Sequence, residues 1–113
     1  MTSLKVNRDY EVLPQEFMGR GSQFGWVFKQ LKRIGDIALY SKTDNDGNQY
    51  YEVVVIGFSK GGSTTIGGVN IVFNPKELYP SNEQFGVNGW CFSSQRNAES
   101  RFEQILLATL HSQ

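Results

Sequence analysis

The chain has 113 residues, 39% of them hydrophobic, with eight Phe, five Tyr and two Trp, which supplies one core and excludes a disordered chain. Eleven Lys and Arg balance eleven Asp and Glu, so no overall field favours a nucleic-acid backbone. A single cysteine, Cys91, leaves no intramolecular disulfide, and no apolar leader or run of about 18 apolar residues marks a secreted or membrane-spanning chain, so a cytoplasmic protein is expected.

In chain order, residues 1–23 are polar and irregular, with a short edge strand at Tyr10 and Val12 that Pro14 ends. Phe24, Trp26 and Phe28 then alternate with Gly25, Val27 and Lys29, a period-two strand signal rich in aromatics. Gly35-Asp36 predicts a turn or bulge before Ile37–Thr43. Asp44-Asn45-Asp46-Gly47 is the clearest hairpin turn, because Asp and Asn bond their own backbone and glycine takes the left-handed position. Residues 36–43 and 50–58 are therefore expected to pair antiparallel, the second of them, YYEVVVIGF, as a central strand. A glycine-rich loop leads to a strand at Val69–Phe73, and Trp90-Cys91-Phe92 reads as a last short one. From Ser93 or Ser94, which can cap a helix, Ala98, Phe102, Ile105, Leu106, Thr109 and Leu110 recur at helical spacing. The expectation is a single α+β domain: an irregular segment over 1–23, sheet and loops over 24–92, and an amphipathic helix over 94–111. The helix would pack on one face of a small twisted antiparallel sheet of about four to five strands.

The loop Phe58–Gly68 (FSKGGSTTIGG) is the strongest candidate site. Gly62 and Gly67 have the glycine spacing of a P-loop, but Gly68 and Val69 stand where Lys and Ser/Thr are needed, and a strand follows instead of a helix. Lys60, Gly61, Gly62, Ser63, Thr64 and Thr65 would then serve as a non-motif anion nest, and the ordinary reading, a plain connection between strands, is favoured over it. Tyr79, Phe85 and Trp90, set in the polar stretch ELYPSNEQFGVNGWCF, either pin that loop to the body or form a recognition surface. A second set, Trp26 and Phe28 with Lys29, Lys32 and Arg33, suits single-stranded nucleic acid through stacking and phosphate contacts; its ordinary reading is that Phe24, Trp26 and Phe28 are core residues under the helix.

No catalytic or metal-binding signature stands out. His111, the single histidine, lies near a helix C-terminus where cations are favoured. Asp44 and Asp46 lack the glutamate a calcium loop requires, since Val53 holds that position. Asp36 and Glu52 with a metal would make a nucleotide hydrolase, without support from their spacing.

KRIGDIALYSKT, YYEVVVI and ELYPSNEQFGVNGWCFSS with the following helix resemble small accessory proteins of tailed bacteriophages and prophages over roughly residues 28–110, with Phe58–Gly68 longer and richer in glycine than that pattern. The resemblance implies a non-enzymatic protein that interferes with a host process such as defence, in the host cytoplasm, by binding a host protein or sequestering a phosphorylated nucleotide. No cofactor is expected. Contacts would lie at Phe58–Gly68 and Tyr79–Trp90, with Lys60 at phosphate and Phe85 or Trp90 on the base. The open edge of a small sheet also leads one to expect a homo-oligomer.

Overall fold

The computed structural model describes residues 10–111. It is an α+β fold, with strands β1 (Glu16–Met18), β2 (Val27–Ile34), β3 (Ile37–Thr43), β4 (Gln49–Val55), β5 (Gly57–Ser59), β6 (Gly62–Ile66), β7 (Val69–Phe73), β8 (Lys76–Leu78) and β9 (Gly89–Phe92), and helix α1 (Gln95–His111). Strands β1-β2-β3-β4-β9 form one antiparallel sheet in that order; β5 pairs with β8, and β6 with β7.

The β3–β4 hairpin sets the register of everything else. Asp44 Oδ1 accepts hydrogen bonds from the Asp46 and Asn48 backbone N–H groups at 3.0 and 2.9 Å. That closed turn pairs Thr43 with Gln49 and continues without a slip to Ile37 and Val55. Side chains alternate across a strand, so Ile37, Leu39 and Val53 point to one face while Ala38, Tyr40, Lys42, Glu52 and Val54 point to the other. Helix α1 covers the first face. Its Ala98 and Phe102 are fully buried against Ile37, Leu39 and Val53, with Tyr51, Phe92, Ile105 and Leu106 around them. Ser94 starts the helix, its Oγ accepting from the Asn97 N–H at 3.3 Å.

The opposite face is covered by loops. Leu13, Phe28, Ala38, Tyr40, Val54 and Ile56 form a second core there, with Phe17, Trp26, Tyr79 and Phe85 packed against it. The three-aromatic strand under the helix is corrected accordingly. Phe24 is 78% exposed after a 3-10 turn at Gly21–Gln23, and β2 begins only at Val27. Phe28 pairs with Lys42, which puts it on the face away from α1. The expected edge strand at Tyr10 and Val12 also moves: Glu11 makes only an isolated bridge to Lys76. The edge strand forms after Pro14, where Phe17 stacks on Phe28 at 4.8 Å. Residues 1–9 of the irregular segment lie outside the described residues.

Phe58–Gly68 is not a single loop. It supplies most of β5 and all of β6; what remains is the short link Lys60-Gly61 between them and Gly67-Gly68, both at positive φ (58° and 81°), the geometry of a two-residue hairpin turn. Among the described residues no helix is long and apolar enough to cross a membrane.

The helix rests on few fully buried side chains, and Phe102 is the largest of them. Phe102→Ala is expected to cost about 3–5 kcal/mol, read as a lowered urea midpoint at unchanged slope; a loss under about 1 kcal/mol would show that this ring does not hold the helix.

Candidate functional site

On the face opposite α1, the register lays two cross-strand rows side by side. One runs Phe17, Phe28, Lys42, Tyr50 and the next Gln30, Tyr40, Glu52, Cys91. Lys42 and Glu52 are thus diagonal neighbours in the middle of a sheet, 8% and 4% exposed. Burying either charge alone is costly, so each must find partners. They find each other, Lys42 Nζ lying 2.8 Å from Glu52 Oε2.

Two loops complete the set. Gln23, in the 3-10 turn, accepts from Lys42 Nζ through Oε1 at 2.9 Å. The ammonium also lies over the rings of Trp26 and Phe28, 4.9 and 5.8 Å from their centroids, where the negative ring faces attract it. Tyr79, just after β8, donates its hydroxyl to Glu52 Oε1 at 2.7 Å. Its ring meets those of Phe17, Phe28 and Tyr40 edge-on at 5.4, 5.5 and 5.2 Å. Tyr40, fully buried, donates to the Pro14 carbonyl at 2.8 Å and accepts from Gln30 Nε2 at 2.9 Å.

Between these loops and the sheet lies a cleft of about 720 Å³. Phe17, Phe28, Tyr79 and Phe85 line it as rings, Lys42, Glu52 and Cys91 as polar floor, and Arg20 and Lys76 border it. The 76–78 side is anchored by a two-pronged ion pair. Arg33 Nη1 and Nη2 each donate to Glu77 at 2.7 Å, and Glu77 Oε1 also accepts from the Leu13 N–H at 2.9 Å. Phe85 packs on β9, where its ring lies across Gly89: a Cβ there would stand 3.0 Å from Cε1 and Cζ, close enough that the ring would have to give by a few tenths of an ångström.

The protons of this cluster are tightly held. Burial, then the nearby Glu52 charge and its hydrogen bond, push the Tyr79 hydroxyl far above its ordinary value of 10.0. Partial desolvation and the same carboxylate raise the Cys91 thiol above 9.0. Nucleophilic or general-base chemistry needs the opposite shift in a thiol or hydroxyl.

The sequence-predicted residues are distributed unevenly. Tyr79 and Phe85 meet in the cleft. Trp90 pairs with Val53 and faces the helix, with the Arg101 guanidinium 4.6 Å above its ring. Lys60, Gly61, Gly62, Ser63, Thr64 and Thr65 do not line the cleft. Residues 62–66 are paired one by one with β7, and an extended ladder aims successive N–H groups to opposite edges, so they gather no concave nest. The nucleic-acid set is split between faces. Phe28 is 2% exposed and Arg33 is engaged by Glu77, both on the cleft side with Trp26. Lys29 and Lys32 point to the helix side, Lys32 lying 4.8 Å from the Phe102 ring centroid. Asp36 sits in the β2–β3 turn, 3.7 Å from Arg33, apart from the ion pair of Glu52. Among the described residues no three His, Cys, Asp or Glu side chains gather as metal ligands.

Sequence reasoning missed Lys42, Gln23 and Phe17. A signal existed for the first, since the Asp46-Gly47 turn fixes a register in which Lys42 and Glu52 are inward-facing neighbours. No protein-family model, curated protein or solved structure matches the chain.

Glu52→Gln leaves the Lys42 ammonium buried without its counter-charge, and is expected to cost about 3–5 kcal/mol in chemical denaturation. Adding Lys42→Met should restore much of that loss; a double variant no more stable than the single one would show that the charge is not its source. Because the folded Tyr79 pKa lies above its unfolded value, the stability it confers is intact below pH 10 and is lost as pH climbs beyond 10. Wild-type protein should therefore lose stability more steeply above pH 10 than Tyr79→Phe, and parallel profiles would contradict the assignment.

Proposed function

We propose that the protein is a non-enzymatic binding module that takes up a small phosphorylated nucleotide in the cleft between the sheet and the segments 11–23 and 76–85. The observation carrying this reading is the combination of cavity and lining. About 720 Å³ falls within the range of small-molecule sites, which are mostly apolar with a few convergent polar groups. The rings of Phe17, Tyr79 and Phe85 suit a base, with Phe28 buried behind them, and Arg20 and Lys76 at the border suit phosphate. Phosphate recognition thus moves from Lys60 to this border, and base recognition from Trp90 to the cleft rings.

Binding is favoured over turnover because the Glu52 carboxylate is already engaged by Lys42 and Tyr79, and the Tyr79 and Cys91 protons are held. The resemblance to small accessory phage proteins supports the same reading. Stoichiometric capture of a nucleotide signal would interfere with a host defence process without chemistry, and the place of action would be the host cytoplasm.

Native mass spectrometry of freshly purified protein, followed by calorimetric titration with a nucleotide panel, tests this. A bound nucleotide is expected, weakened about tenfold or more by Arg20→Ala with Lys76→Ala and unchanged by Lys60→Ala. An empty protein that binds no nucleotide in the panel would end the nucleotide reading and direct the search to a host protein as partner.

A further inference from the structure

Strands β6 and β7 form a ribbon whose two faces differ in kind. The register places Gly62 opposite Phe73, Thr64 opposite Ile71 and Ile66 opposite Val69. Directly opposed residues share a face, so Ile66, Val69, Ile71 and Phe73 make one apolar surface. Ser63 opposite Val72 and Thr65 opposite Asn70 make the other, which is mainly polar. In antiparallel sheets this alternation belongs to a ribbon with one face packed and one in water. Yet Ile66, Val69 and Phe73 are 61%, 61% and 53% exposed, and neither core includes them.

The ribbon also lacks the devices that keep exposed strands apart. Residues 61–74, GGSTTIGGVNIVFN, carry no charged side chain and no proline, whereas exposed strands are normally guarded by lysine, proline or a bulge. A two-stranded hairpin is marginal in water by itself, so an apolar cover contributes to its order as well as to its burial.

We propose that the cover is the same ribbon of a second copy, the two apolar faces packing against each other about a twofold axis. Three features select this occupant. An uncharged face meets its own copy without repulsion, and the net charge of the whole chain is +0, so no long-range field opposes self-association. Both surfaces have the same length and shape by identity, as a closed twofold contact requires. The four apolar side chains with the intervening backbone offer on the order of 500 Å² per copy, about 1,000 Å² in total, which is at the lower limit of a specific interface and fits a weak, concentration-dependent dimer. None of the ribbon's residues lines the cleft, so the proposal does not rest on the nucleotide reading.

Sedimentation velocity over a broad concentration series, on the full chain, tests the proposal with two variants. Val69→Lys places a charge on the apolar face and Thr65→Lys on the polar one; both positions lie outside the two cores, and near-ultraviolet circular dichroism checks that the body is intact. Wild type and Thr65→Lys are expected to show a reversible monomer–dimer equilibrium, and Val69→Lys a dissociation constant raised about tenfold or more. A wild-type protein monomeric at every concentration overturns the proposal and leaves an unlike partner as the cover. A dimer indifferent to Val69→Lys, or one lost equally with Thr65→Lys, overturns it too, because the contact then lies elsewhere.

Discussion

The contact on which the cleft side of the molecule depends is that between the Lys42 ammonium and the Glu52 carboxylate, 2.8 Å apart within a sheet. Two charges at such a site are unfavourable until every donor and acceptor is matched. The sheet alone cannot match them, since its neighbouring side chains at those rows are largely rings and methyl groups. Gln23 and Tyr79 complete the matching, and they come from the two segments that also bring Phe17 and Phe85 against this face. The ion pair thereby specifies where two irregular segments must lie. The hollow left between them is a consequence of that requirement.

The two faces of the sheet are stabilised in different ways. Against the helix the contacts are apolar, and Phe102 is the largest of the fully buried side chains there. Against the loops, a second apolar core is joined by polar bonds between residues far apart in the chain, Arg33 with Glu77 and Tyr79 with Glu52. The helix side is thus held mainly by packing, and the loop side by packing together with bonds that fix individual side chains.

Much of this fold was legible in the sequence because its signals are local. The Asp46-Gly47 turn, the alternation in the two strands it joins and the helical spacing from Ala98 onward each act within a few residues, and the α+β architecture with its C-terminal helix follows from them. What was not legible depends on distant register. That Phe28 turns away from the helix is decided by its pairing with Lys42, and a bulge between Gln30 and Lys32 changes the parity along β2. The glycines of Phe58–Gly68 read as slackness, although two of them build a hairpin turn with strands on either side. Of the candidate site, Tyr79 and Phe85 stood out as rings in a polar stretch. Lys42 did not, because a single lysine in a strand normally marks a solvent-facing position, and only its pairing with an equally isolated glutamate reveals the buried one.

The contact between Phe85 and Gly89 reaches further than its size suggests. Phe85 is a wall of the cleft, and it stands where it does because residue 89 has no side chain to displace it. A side chain at 89 would press on that ring from a position that is not among the residues lining the cleft. A chain of this fold with a bulkier residue there would carry the same floor of charges and the same rings, with the Phe85 wall displaced. The shape of the cleft would thus be adjustable from behind the wall, without changing the identity of any residue that lines it.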